Sequence, residues 1–135
     1  MNTKRFLVAA IVVWLVRTSA NAVFYGVLMA PTFDELNQAL PGVFREVIPA
    51  YVVTDLIAAV AFAFLFAKAG HALGGGVAGG VKLGLVIAIL SPIIGNLYIF
   101  YSVTYMAFGM MLGDSAFQLV SHLVQGAVVG AIYKA

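Results

Sequence analysis

The C-terminal stretch of the chain, residues 114–135, reads DSAFQLVSHLVQGAVVGAIYKA. It is long enough for one membrane-spanning helix, because about 20 residues cross the ~30 Å hydrocarbon core of a bilayer. Its polar side chains Gln118, His122 and Gln125 recur at spacings of four and three residues, which places them on one helix face. A polar stripe within hydrocarbon has to face protein or water. We therefore expect this helix to pack against the rest of the chain.

The composition of the chain predicts an integral membrane protein. Of its 135 residues, 64% are hydrophobic and 9% are charged, and the mean hydropathy is +1.09. Soluble domains are nearer one half apolar and one quarter charged, so this excess indicates solvation by lipid. The net charge of +2 comes without a basic cluster, which argues against nucleic-acid binding. The absence of cysteine excludes disulfides and thiolate metal sites.

Apolar segments separated by proline, glycine and polar residues predict a single all-α domain, a four-helix bundle with spans at about residues 5–30, 47–69, 81–106 and 114–134. Pro31 is expected to end the first span, and Pro92 to kink the third by freeing the carbonyl of Ala88. The glycines at 109–113 predict a tight turn, after which Asp114 caps the fourth span.

A short interfacial helix is predicted between the first two spans. Thr32 and Glu35 fit a capping box, in which each side chain satisfies a free backbone amide. Phe33, Leu36 and Leu40 then share one face, so we expect an amphipathic helix at the membrane surface. It could act as a lid or docking element, but a simple connector is the favoured interpretation.

The N-terminus resembles a secretory signal sequence. Lys4 and Arg5 precede an apolar run, and Ala-Asn-Ala at 20–22 imitates a cleavage site. Arg17 interrupts the run, and apolar character then resumes through Ala30. We therefore expect an uncleaved helix that serves as its own signal anchor.

The basic residues fall at one set of predicted helix ends, namely Lys4, Arg5, Lys68, Lys82 and Lys134. The other set of ends holds Arg45 as its only basic residue, together with Asp34, Glu35, Glu46 and Asp114. The positive-inside rule then predicts that both termini are cytoplasmic, in a bacterial-type inner membrane.

Two sets of glycines at four-residue spacing predict close helix packing. Gly126 and Gly130 form a Gly-x-x-x-Gly pair, and Gly76, Gly80 and Gly84 recur at the start of the third span. The glycine-rich stretch before that span lacks the Gly-Lys-Ser/Thr ending of a phosphate-binding loop, so we expect a flexible turn there. The two glycine faces offer seams for self-association or for packing within the bundle.

Polar residues from all four spans are predicted at similar depth. At ~1.5 Å per residue they lie about 16 to 21 Å above the cytoplasmic helix ends. The residues concerned are Arg17, Asp55, Asn96 and His122, with Asn21 and Gln118 close by. An arginine at the centre of a lone helix costs ~2.5–3.5 kcal/mol on insertion scales. We therefore expect Arg17 to pair with Asp55, amides of Asn21 and Asn96 to meet the remaining bonds, and His122 to complete the cluster.

Three functions remain open for this cluster. It could be a structural network that fixes helix packing, in a non-enzymatic accessory or assembly subunit. It could serve a proton-linked transporter or channel in which Asp55 and His122 titrate beside Arg17. His122 could instead ligate a haem or chlorophyll; ligation by two histidines is disfavoured, because His71 lies about 18 Å lower.

Further functional expectations are mostly negative. No catalytic motif and no metal-binding spacing is present, so we expect no enzyme, no metal site and no cofactor. The expected partners are membrane lipid and either further copies of the chain or a larger membrane complex.

Three short patches carry a resemblance. They are Asn96 following Pro92, the sequence HLVQGAVVG at 122–130, and NAVFYG at 21–26. They resemble small four-helix bacterial membrane proteins of uncharacterised function. The resemblance implies a four-span fold and brings no known activity or site with it.

Overall fold

The computed structural model describes residues 2–43 and 48–133, and every regular element in those ranges is helical. The elements are α1 (Thr3–Val23) with a π-helical segment (Phe24–Leu28), α2 (Ala30–Ala39), α3 (Ile48–Ala69), α4 (Gly76–Ala88) with a second π-helical segment (Ile89–Ile93), α5 (Ile94–Ser102) and α6 (Phe108–Tyr133). Arg45, Glu46 and Lys134, used in the orientation argument, and Val47, the predicted start of the second span, lie outside the described residues.

Four helical stretches are long and apolar enough to cross a membrane, namely Thr3–Leu28, Ile48–Ala69, Gly76–Ser102 and Phe108–Tyr133. The prediction of an all-α chain with four long apolar helices is therefore confirmed. Each stretch overlaps one predicted span, although the boundaries differ, most of all at the starts of the third and fourth.

Contacts between helix ends establish the directions of α1 and α6. The backbone amide of Asn2 donates to the Tyr133 hydroxyl over 3.2 Å, joining the start of α1 to the end of α6. At the other end, the rings of Phe24 and Phe117 stack with centroids 4.0 Å apart. The two helices are therefore antiparallel, and both ends of the described chain lie at one end of the molecule.

Helix α3 runs in the same direction as α6. Its Phe62 ring lies 6.3 Å from the His122 ring, and Phe66, one turn further along, lies 6.2 Å from the Tyr133 ring. Helix direction thus alternates along the chain, as short connections between neighbouring helices favour. Phe62 and Phe66 are buried in a core shared by four helices, whose other buried members are Ala9, Ala10, Val13, Ala59, Ala63, Leu83, Val129 and Tyr133.

The two predicted glycine faces pack against each other within the chain. A methyl group added to Gly80 would overlap the carbonyl oxygen of Gly126, and one added to Gly130 would overlap that of Gly76. Gly84 meets the backbone carbonyl of His122 in the same way. Numbers rise on α4 as they fall on α6, so these helices are antiparallel and their backbones touch, as small residues at four-residue spacing allow.

The predicted turn at residues 109–113 is wrong, because α6 already begins at Phe108. Gly109 and Gly113 are helical, and Asp114 lies inside the helix rather than at its N-cap. Met and Leu between the glycines are good helix formers, and Met111 is buried. That packing and propensity outweigh the cost of about 1 kcal/mol for each helical glycine.

The third span also begins earlier than predicted, at Gly76 rather than near residue 81, and ends at Ser102. Contact with α6 through the glycine seam stabilises this added turn. The connection before it turns through Gly74 and Gly75, whose φ angles of 100° and 65° suit glycine. Pro92 lies in the π-helical segment, where an extra residue in the turn accommodates the missing amide.

The amphipathic helix after the first span is present as α2, but its predicted capping box is wrong. The helix starts at Ala30, with Pro31 in its first turn and Met29 at the N-cap. Thr32 therefore lies inside the helix. Proline suits the first turn, because its missing amide would be unpaired there in any case.

Candidate functional site

The first helical stretch, Thr3–Leu28, carries polar side chains that form hydrogen bonds to neighbouring helices. Arg17 and Asn21 lie on α1, and Tyr25 follows at the same four-residue interval on the π-helical segment, so the three form a stripe along one side of the stretch Thr3–Leu28. The helix packs between α3 and α6. The stripe therefore reaches polar partners on both neighbours.

The first cluster, here called the ion-pair network, consists of Arg17, Asn21 and Asp55. Arg17 Nε donates to Asp55 Oδ1 over 2.7 Å. Asn21 Nδ2 donates to both oxygens of the same carboxylate, over 3.0 and 3.1 Å. Asp55 is only 6% exposed. The opposite charges compensate each other, and the amide adds hydrogen bonds that a bare ion pair would lack.

The second cluster, here called the outer network, lies nearer the end that carries α2. The Tyr25 hydroxyl donates to the Asp114 carboxylate and accepts a hydrogen bond from Gln118 Nε2 over 2.7 Å. Asn96 Nδ2 donates to Asp114 and to Ser115 Oγ, the latter over 3.1 Å. Within the described residues no basic side chain bonds Asp114, so two neutral donors, Tyr25 and Asn96, solvate its carboxylate.

His122 joins the outer network only through the backbone. Its Nδ1 lies 2.7 Å from the carbonyl oxygen of Gln118. Because a carbonyl can only accept, Nδ1 carries the proton in this contact. The ring is 4% exposed and lies beside Phe62. Gln125 donates to Ser121 Oγ over 3.0 Å and reaches neither network.

The predicted polar cluster is therefore divided. The structure brings Arg17, Asn21 and Asp55 together, while Asn96 and Gln118 belong to the outer network. Asp55 and His122, the pair expected to titrate in a transporter, share no hydrogen bond in the described chain. Asn96 lies nearer the outer end than its predicted depth, because its helical stretch begins at Gly76 rather than near residue 81.

Sequence reasoning missed three members of the outer network, namely Tyr25, Asp114 and Ser115. Asp114 was expected at a helix cap, and Tyr25 was not expected in a polar network. A signal for both was present in their spacing. Tyr25 continues the four-residue repeat of Arg17 and Asn21, and Asp114 continues that of Gln118 and His122.

A cavity of about 710 Å³ lies between the second half of α1, α2 and the start of α3, and is here called the outer cavity. It is lined by Thr18, Asn21, Ala22, Tyr25, Gly26, Ala30, Phe33, Asp34, Asn37, Ile48, Tyr51, Val52, Thr54 and Asp55. The ion-pair network thus forms part of its wall.

A smaller cavity of about 200 Å³ lies between Tyr25, Tyr105 and Asp114. His122 lines neither cavity, so neither offers space for a haem or chlorophyll at that side chain. In residues 2–43 and 48–133, no three His, Asp or Glu side chains come together as a metal site would require. Cofactor binding through His122 stays a prediction.

Comparisons with known proteins assign neither a family nor a function to the chain. The resemblance to small four-helix bacterial membrane proteins stays a prediction as well. No protein-family model, no curated protein and no solved structure matches the chain.

Proposed function

We propose that the chain is a small integral membrane protein with four spans, which acts as a non-enzymatic accessory or assembly subunit. The observation that carries this proposal is the ion-pair network, in which Arg17 and Asn21 donate three hydrogen bonds to Asp55. A buried carboxylate with both oxygens bonded in this way holds α1 and α3 together. It is not poised to attack a substrate.

The distribution of apolar side chains supports insertion in a membrane. Leu7, Ile11 and Leu15 follow one another along the outer face of α1, and each is about half exposed. Similar side chains cover the other long helices, for example Leu90 and Val120. A soluble monomer rarely exposes apolar patches of this extent. Polar groups inside and apolar groups outside are the arrangement that lipid requires.

The charge distribution supports cytoplasmic termini. Lys4 and Arg5 begin α1, Lys68 ends α3, and Lys82 lies in the second turn of α4, all toward the end where Asn2 meets Tyr133. The exposed acidic residues Asp34 and Glu35 lie on α2 at the opposite end. The positive-inside rule then places the first end in the cytoplasm, as in a bacterial inner membrane.

A structural role for the networks follows from the physics of lipid. Apolar side chains gain nothing by leaving lipid for a protein core, so close packing and interhelical hydrogen bonds hold membrane helices together. The glycine seam joins α4 to α6. The ion-pair network joins α1 to α3, and the outer network joins α1, α5 and α6. Together these contacts link all four spans.

Native mass spectrometry of the protein, extracted gently from its own membrane, tests the proposed role. We expect it to arrive bound to a larger membrane protein through its lipid-facing surface, because the glycine seams are occupied within the chain. An untagged strain processed in parallel is the control for adventitious binding. Arrival as a monomer or as a homo-oligomer without other proteins would contradict an accessory role.

A proton-linked transporter or channel is the second candidate, favoured by one observation. Asp55, the only acidic residue in the described part of α3, lines the outer cavity. Proteoliposomes would show pH-dependent flux that Asp55→Asn abolishes in a folded protein. No flux in the wild type, or unchanged flux in the folded variant, would sink this candidate.

A further inference from the structure

The lining of the outer cavity combines negative charge with aromatic surface. Asp34 and Asp55 line the space, but Arg17 pairs with Asp55 over 2.7 Å, so within the described residues Asp34 alone supplies an uncompensated negative charge. No lysine or arginine of the described chain lines the space. Three aromatic side chains, Tyr25, Phe33 and Tyr51, also contribute to the wall. The remaining polar groups are amides and hydroxyls, carried by Asn21, Asn37, Thr18 and Thr54.

This combination attracts cations. Carboxylates in a cleft with apolar walls concentrate a negative potential and raise the local concentration of positive ligands. The faces of aromatic rings attract ammonium groups, as in aromatic cages for quaternary amines. The volume of about 710 Å³ falls within the range of ~300–1,000 Å³ that small-molecule sites occupy.

We propose that the outer cavity binds a small organic cation, an ammonium compound with apolar substituents. Asp34 attracts the cation electrostatically, and the aromatic rings of Tyr25, Phe33 and Tyr51 offer their faces to it. A metal ion is a poorer fit, because Ca²⁺ and Mg²⁺ need about six oxygen ligands and both oxygens of Asp55 are already bound by Arg17 or Asn21. A lipid headgroup is also poorer, because the Asp34 carboxylate would repel its phosphate.

This site goes beyond the structural role proposed above and does not depend on it. Asp34 tests the site without disturbing the ion-pair network, since it is exposed and lies on a separate helix. Glu35 is its matched control. It is the next carboxylate on the same helix, equally exposed, and it does not line the cavity.

The experiment is calorimetric titration of benzyltrimethylammonium into the full chain in dodecyl maltoside micelles, a neutral detergent without ammonium groups. Neopentylbenzene, the neutral analogue with carbon in place of nitrogen, is the ligand control. We expect the cation to bind and the neutral compound to bind at least tenfold more weakly. Asp34→Asn should weaken binding by about three- to fivefold, as loss of one exposed charge partner does. Glu35→Gln should leave the affinity unchanged.

Several results would overturn the proposal. Absence of binding would show that the cavity does not recognise ammonium compounds. Equal affinity for the neutral analogue would show that the cavity selects shape rather than charge. Equal weakening by Asp34→Asn and Glu35→Gln would show that only general surface charge matters. An unchanged unfolding midpoint in both variants ensures that binding is compared between folded proteins.

Discussion

Asp55 is the side chain on which the interior charge balance depends. Arg17 and Asn21 supply all three of its hydrogen bonds, and little of it is exposed. Arg17→Ala should therefore lower the free energy of unfolding by ~3–5 kcal/mol, because it leaves a buried carboxylate unpaired. Arg17→Ala combined with Asp55→Ala should recover much of that loss. Unfolding in detergent micelles, followed by circular dichroism, measures both variants.

Thr54→Ala is the matched control for this pair. Thr54 is adjacent to Asp55 in sequence, but its side chain is exposed and its hydroxyl donates to the Ala50 carbonyl of the same helix. We expect a change within ~0.5 kcal/mol, as for most exposed substitutions. A double variant as unstable as Arg17→Ala alone would show that Arg17 supports the fold by some means other than pairing with Asp55.

The sequence was sufficient to suggest one network but not the other. Two opposite charges in apolar helices have few alternatives, so the contact between Arg17 and Asp55 could be anticipated from depth alone. Asn96 could not be placed in this way, because its depth depends on where its helix begins. Asp114 was not recognised as a member of the outer network, because the glycines before it were interpreted as a turn and Asp114 as the cap of the next helix.

At the scale of the helices, the seam between α4 and α6 makes a sharp prediction. Gly126→Ala should destabilise the protein by ~3 kcal/mol or more, because the added methyl group meets the backbone of Gly80 rather than a movable side chain. Gly113→Ala in the same helix is the control, since open space surrounds that position. It should be neutral or stabilising by up to ~1 kcal/mol, from helix propensity.

The free energies of unfolding of Gly126→Ala and Gly113→Ala, measured in the same micelles, test this prediction. Equal stability would mean that α4 and α6 are not in backbone contact at Gly126.

The glycines also show why helix ends were hard to predict. Glycine at 74 and 75 forms a turn with positive φ, whereas glycine at 109 and 113 is helical, and only the surrounding packing distinguishes them.

At the scale of the whole molecule, alternating helix direction places α2 and the connection between α3 and α4 at opposite ends. The natural sequence contains no cysteine, so single introduced cysteines can report on each end against a blank background. Gln38 on α2 and His71 after α3 are both exposed and suit this purpose. The basic residues near His71 predict that its end is cytoplasmic.

A membrane-impermeant maleimide applied to intact bacterial cells should therefore label Gln38→Cys strongly. His71→Cys should react only after the inner membrane is permeabilised, and then to a similar extent, which controls for thiol reactivity. The reversed pattern would place the termini outside the cell and contradict the charge argument. Labelling of both positions in intact cells would mean that no membrane separates the two ends of the molecule. The exposed apolar side chains of the four helices could then not be explained by contact with lipid.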